Sequence, residues 1–137
     1  MQAAAATFVA ALLPQEDAAT VVTLSGDLGA GKTTFVQGVA SALGVTGQVT
    51  SPTFTLMHIY ELVRQRWQRL VHIDAYRLED ARALAPLGWG DILADAGALV
   101  LLEWPEQVAG AIPSGAVALR IEDAGGTARR IITSYGG

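Results

Sequence analysis

Gly26-Asp27-Leu28-Gly29-Ala30-Gly31-Lys32-Thr33 spells a complete G-x-x-x-x-G-K-[ST] phosphate-binding loop, and its lysine is the only one in the chain. The motif works where a strand turns into a helix, and both flanks read that way. Thr20 to Leu24 is an apolar, β-branched run, and Thr33 to Leu43 is a helix-like stretch. Glycines 26, 29 and 31 let the backbone curl with its N–H groups inward, and the helix behind the loop adds the positive end of its dipole. Asp27, Leu28, Gly29, Ala30 and Gly31 then form the cradle, Lys32 brings a mobile charge to the β- and γ-phosphates, and the Thr33 hydroxyl is placed for Mg²⁺. A nucleoside triphosphate is the first ligand to consider. At this chain's glycine, lysine, serine and threonine content, an accidental match has a chance of roughly one in a thousand. The loop alone leaves the reaction open, because ATPases, GTPases and small-molecule kinases all use it.

The 137 residues are expected to form one domain, 1–137, long enough to bury a core without staples. With no cysteine there are no disulfides, thiol redox chemistry or cysteine metal sites, which suits a cytoplasmic protein. Hydrophobic residues make up 51%, yet the longest apolar runs, such as 96–102, are far too short to span a bilayer, so no membrane association is expected. Residues 2–13 have the apolar look of a signal peptide, but no Lys or Arg precedes Lys32, and an amphipathic first helix is the better reading. The net charge of −4, with arginines scattered, disfavours autonomous binding to a nucleic-acid backbone. Arg64, Arg66 and Arg69 read as a solvated hairpin turn.

Along the chain, Pro14 ends the first helix and Val21 to Leu24 forms the strand that feeds the loop. Val45 to Pro52 reads as a loop, Phe54 to Leu62 as a strand, and Arg69 to Ala75 as the returning strand of an antiparallel hairpin. Short helical pieces are expected at Leu78 to Ala85 and Asp91 to Ala96, broken by Pro86, Gly88 and Gly90. Ala98 to Leu102 has the pattern of a strand buried on both faces. Ala116 to Ile121 and Arg129 to Thr133 close the chain as a second hairpin. The fold class is therefore α/β, a P-loop NTPase-like three-layer sandwich with a mixed parallel and antiparallel sheet.

Hydrolysis or transfer needs, besides the loop, an acid that orients Mg²⁺ and the nucleophile. Two apolar runs end in one: 70–73 in Asp74 and 99–102 in Glu103. In an open α/β sheet such strand ends gather beside the loop, although a carboxylate there also serves as an ordinary turn cap. His58 and His72 have no metal-ligand spacing and read as packing or hydrogen-bonding residues outside the site. Trp67 and Trp89 are expected to cover core edges, whereas Trp104, next to Glu103, is placed to wall a nucleotide site.

Four segments in order, 26–34, Ser51-Pro52-Thr53-Phe54-Thr55, His72-Ile73-Asp74-Ala75-Tyr76-Arg77-Leu78 and Leu102-Glu103-Trp104-Pro105-Glu106, closely resemble the TsaE family, formerly called YjeE. The resemblance covers nearly the whole chain. It implies a bacterial Mg²⁺-dependent ATPase required for the threonylcarbamoyl modification of adenosine beside the anticodon, in tRNAs that read codons starting with A. It also implies that ATP and Mg²⁺ are held by Lys32 and Thr33, that Thr34 adds a phosphate contact, and that Glu103 is a metal-site acid. Asp74 is similar to the family acid needed for hydrolysis, Thr53 and its neighbours to a segment that approaches the γ-phosphate, and Trp104 to the family tryptophan at the nucleotide. The implied partners are a sugar-kinase-like, TsaD-like transferase subunit and its TsaB-like companion, with tRNA met mainly through the complex. Two departures bear on adenine and partner contacts: the chain begins close to its first helix and stops soon after its last strand.

A small-molecule P-loop kinase is the alternative, and it calls for an acceptor pocket and an arginine-bearing lid that no long insertion here supplies. A GTPase needs the lysine of N-K-x-D, and the chain has no second lysine. A module that uses ATP only as a conformational switch would look the same in sequence.

Overall fold

β-Branched and leucine-rich runs build the sheet, and each strand's side-chain alternation decides which helical layer it meets. The structure, a computed structural model, describes residues 2–27, 31–46, 57–125 and 128–135. In chain order the elements are α1 (Gln2–Ala11), β1 (Thr20–Ser25), α2 (Lys32–Ala42), β2 (Met57–Glu61), β3 (Arg69–Asp74), a 3₁₀ helix (Ala81–Leu87), α3 (Trp89–Leu93), β4 (Ala98–Glu103), a second 3₁₀ helix (Pro105–Ala111), β5 (Val117–Gly125) and β6 (Ala128–Tyr135). The six strands run in the order β2-β3-β4-β1-β5-β6. β3, β4, β1 and β5 are mutually parallel, and the edge strands β2 and β6 are antiparallel to β3 and β5. This is the mixed-sheet, three-layer α/β architecture expected from the sequence.

β4 lies inside the sheet with helices on both sides, and all six of its residues are buried. Leu99 and Leu101 join Val22, Leu24, Phe35 and Val39 in the core beneath α1 and α2. Val100 and Leu102 join Val21, Ile73, Leu84, Trp89 and Val108 in the core beneath α3 and the 3₁₀ helices. Fully burying such a side chain contributes about 1.5–3 kcal/mol, so these two cores dominate the favourable side of folding. Phe8 of α1 packs against Phe35 of α2 with ring centroids 5.8 Å apart, and this pair closes the first layer.

Several local expectations need correction. The helical segment expected to break at Pro86 instead runs through it as a 3₁₀ helix, started at Asp80, whose carboxylate accepts from Arg82 N at 2.9 Å. A proline is tolerated there because the short i→i+3 helix has few bonds to lose. α3 starts two residues before the expected Asp91 and takes in Gly90. A 3₁₀ helix follows Trp104 where the sequence reading places no element, although Pro105 at its start is a standard signal. Trp67 is not at a core edge: it is 1% exposed, and its Nε1–H donates to Thr20 Oγ1 at 3.1 Å. Arg64 and Arg66 are exposed in the turn, as a solvated tip implies, but Arg66 also donates to Ala10 O and Leu12 O at 2.7 and 2.8 Å, and half-buried Arg69 pairs with Asp95. Arg66 thus satisfies carbonyls left open where α1 ends, ahead of Pro14. The expected strand start at 54–56 lies outside the described residues. No helix among the described residues is long and apolar enough to cross a membrane.

Candidate functional site

The carboxyl ends of the parallel strands meet at one edge of the sheet, and their register brings the predicted acids together. Leu24 of β1 is the partner of Glu103 on β4, and Glu103 is the partner of Asp74 on β3. Two main-chain bonds tie the strand exits: Trp104 N donates to Leu24 O at 3.1 Å, and Ala75 N donates to Glu103 O at 3.0 Å. The two acids are therefore held side by side next to the end of β1, from which the phosphate loop departs.

α2 starts on that same edge. Gly31, at its N-cap, has φ 106°, a left-handed conformation that a side chain would strain, and Lys32, Thr33 and Thr34 form the first turn. Thr33 is half-buried and Thr34 exposed. Lys32 is 5% exposed, a cation drawn into this corner. Its Nζ donates to Gly26 O and, at 3.2 Å, to Asp27 O, and it lies 3.8 Å from the centroid of the Trp104 ring. Burial pushes the Lys32 pKa below its ordinary 10.5, and the carboxylates of Glu103, Glu106, Asp74 and Asp27, in that order, oppose the shift.

Trp104 reaches the lysine from a left-handed backbone, φ 61° and ψ 54°, which costs a non-glycine residue about 1–3 kcal/mol. Tyr76 packs against the indole with centroids 5.0 Å apart and ring planes tilted by 51°, and Gln107 Nε2 donates to Tyr76 O at 3.0 Å. A lysine, an indole and a phenol thus line up from the buried corner to the surface, where Tyr76 is 44% exposed.

Asp74 is half-buried, and its Oδ1 accepts from Tyr76 N at 3.0 Å, so it also caps the turn that follows its strand. Glu103 is 3% exposed, and its Oε2 lies 2.6 Å from Nε2 of His72, which is fully buried. The sequence reads His72 as a packing or hydrogen-bonding residue outside the site, and the structure brings it into direct contact with one of the two acids. Its signal was present: positions 72 and 74 share one face of β3, so the histidine lies behind the aspartate toward the strand's interior.

Of the other predicted residues, Asp27 is exposed at the loop's entrance, while Leu28, Gly29, Ala30, Ser51, Pro52 and Thr53 lie outside the described residues. No three His, Asp or Glu side chains gather into a metal cage among the described residues. Mg²⁺ does not need one, since it is bound through one or two carboxylates together with phosphate oxygens and water. The donor set fits such an ion on charge. The carboxylates of Glu103, Glu106, Asp74 and Asp27 act on Lys32 together, a surplus of negative charge that suits a divalent cation.

The family model for threonylcarbamoyl adenosine biosynthesis protein TsaE matches residues 1–131. The tRNA threonylcarbamoyladenosine biosynthesis protein TsaE of Mycobacterium tuberculosis is 39% identical over 120 residues, which is 85% of this chain and 71% of that one. The Bacillus subtilis protein of the same name is 40% identical over 111 residues, 81% of this chain and 66% of that one. Among solved structures, the crystal structure of Bacillus subtilis YdiB superposes with a TM-score of 0.77 at 32% identity, covering 99% of this chain and 78% of that one.

Proposed function

The chain belongs to the TsaE family, whose members take part in making tRNA threonylcarbamoyladenosine, and from that premise we propose that it is the Mg²⁺-dependent ATPase of that pathway. In this reading it drives or resets a TsaD-like transferase paired with a TsaB-like companion and does not transfer the threonylcarbamoyl group itself. One observation carries it: the buried Lys32 of a phosphate loop stands at the sheet edge where Asp74 and Glu103 are register partners.

Lys32 now has two carbonyl oxygens and an aromatic face as partners, none of which carries a full charge. A phosphate oxygen replaces them with a partner of full opposite charge, whose attraction to the ammonium is stronger in this buried corner than in water. The N–H groups of the first turn of α2 point the same way, with the dipole of the helix behind them. Glu103 and the Thr33 hydroxyl would hold Mg²⁺, which when bound shields the phosphate charge and polarises the γ-phosphoryl group. Asp74, more open to solvent than Glu103, would orient the attacking water. Trp104 covers the lysine side of the site and keeps bulk water from screening it.

The test is ATP turnover by the purified chain, alone and with the transferase pair and substrate tRNA, alongside a count of modified tRNA. Turnover that rises with the pair, and tRNA modification that requires ATP hydrolysis over many cycles, is the expected result. Turnover stimulated instead by a small phosphate acceptor, with no dependence on the pair, would support the kinase alternative and overturn this reading.

A further inference from the structure

We infer that His72 is a positioning residue: from inside the sheet its Nε2–H fixes one oxygen of Glu103, so that the other is held ready for a metal-bound nucleotide. This rests on the nucleotide reading above. His72 is the register partner of Leu101 on β4, and Glu103 lies two residues further along that strand, so the ring and the carboxylate are diagonal neighbours on one face of the sheet. The bond is 2.6 Å long, and both side chains are buried. The oxygen engaged by this bond is Oε2.

The rest of the ring assigns the proton. Nδ1 of His72 is buried and has no hydrogen-bond partner among the described residues. A proton on Nδ1 would bury an unsatisfied N–H, whereas a proton on Nε2 leaves only a lone pair without a partner and gives the carboxylate its donor. The ring therefore donates to Glu103. On the same face Leu70 and Leu101 are packed in an apolar core, and an aliphatic side chain at 72 would continue it without stranding a polar atom. The one interaction that offsets the stranded Nδ1 is the bond to Glu103. Groups that orient a metal-binding side chain from behind commonly change metal affinity by 10–100-fold when removed.

The experiment measures Mn²⁺, in place of Mg²⁺, binding to the protein with a non-hydrolysable ATP analogue, by electron paramagnetic resonance, in wild type, His72→Leu and His72→Gln. The amide nitrogen of glutamine reaches the place of Nε2, and leucine keeps the volume without the donor. Expected are a loss of about tenfold or more in Mn²⁺ affinity for His72→Leu, metal-free analogue affinity within about twofold of wild type, and substantial rescue in His72→Gln. A folded His72→Leu with wild-type Mn²⁺ affinity, or a His72→Gln no better than His72→Leu, overturns the inference. Wild type that binds no analogue overturns the nucleotide reading and this inference with it. Should the variants not fold, long-range ¹⁵N–¹H spectra of the wild-type ring decide: a proton on Nε2 and ring signals that shift on adding Mg²⁺ and analogue are expected, and a proton on Nδ1 or unshifted signals overturn it.

Discussion

Trp104 holds Lys32 in place: the lysine Nζ stands 3.8 Å from the indole centroid, and the indole reaches it from a backbone conformation that tryptophan rarely adopts. The chain accepts strain in the residue after β4 and desolvation of its only lysine, and both fall in the same corner. Such costs are expected where a site is held ready for a ligand rather than optimised for stability.

Lys32→Met makes this measurable. Because burial lowers the folded-state pKa of Lys32 below 10.5, the unfolded chain binds more protons, and the lysine's contribution to stability rises with pH from the lowered value up to 10.5. The methionine variant should lack that rise in urea titrations across the alkaline range and be no less stable than wild type at neutral pH. Its triphosphate affinity should fall by about tenfold to a hundredfold, the value of one or two charge-assisted bonds. Equal affinity in calorimetry would remove Lys32 from the site.

Nucleotide binding must also break the contact between Lys32 and Trp104. Trp67 and Trp89 are buried in the two cores, so an emission change on adding ATP should come from Trp104 and vanish in Trp104→Phe. If the phenylalanine variant keeps the full change, the indole does not face the ligand.

The paired acids should separate by phenotype. Glu103→Gln keeps an oxygen to accept from His72 but removes the charge a metal needs, so Mg²⁺-dependent ATP affinity should drop most. Asp74→Asn keeps its bond to Tyr76 N, so binding should survive while turnover falls by about 10²–10⁴-fold. Wild-type hydrolysis by both variants, in the presence of the transferase pair, would end the catalytic assignment for each.

What the sequence made legible was periodic or punctuated. Alternating and continuous apolar runs marked the six strands, and Glu103 was readable because an acid closes a run buried on both faces. What it hid depends on partners distant in the chain. His72 looks like an ordinary strand residue until β4 is set beside β3 in register with it. Arg66 looks like a charged hairpin tip until α1, more than fifty residues earlier, ends within reach of its guanidinium. Trp67 flanks a turn in sequence, yet β1 supplies the Thr20 hydroxyl that lets its indole be buried.

Arg66 should therefore matter for stability and not for nucleotide. Arg66→Ala leaves the carbonyls of Ala10 and Leu12 to water and should cost about 1–2 kcal/mol in urea unfolding, with ATP affinity unchanged. Wild-type stability in that variant would mean that water caps α1 equally well.

The coupling of nucleotide state to a partner falls to the segment of Ser51, Pro52 and Thr53. If it senses the γ-phosphate, as its resemblance implies, it must make contacts with ATP that ADP does not offer, since a ligand shifts a conformation only through differential affinity. Downstream of it Met57 begins β2, which pairs with β3 through His58 and His72, so a shift in the segment feeds directly into the strand that carries Asp74. Hydrogen exchange over residues 45–56 should then be slower with a non-hydrolysable triphosphate and Mg²⁺ than with ADP and Mg²⁺. Thr53→Ala should erase that difference while leaving ADP affinity within about twofold, because the contact it loses is to the third phosphate alone. Equal protection in the two nucleotide states of the wild-type protein would make the segment a simple connector and move the search for the coupling element to the turn between β4 and Pro105.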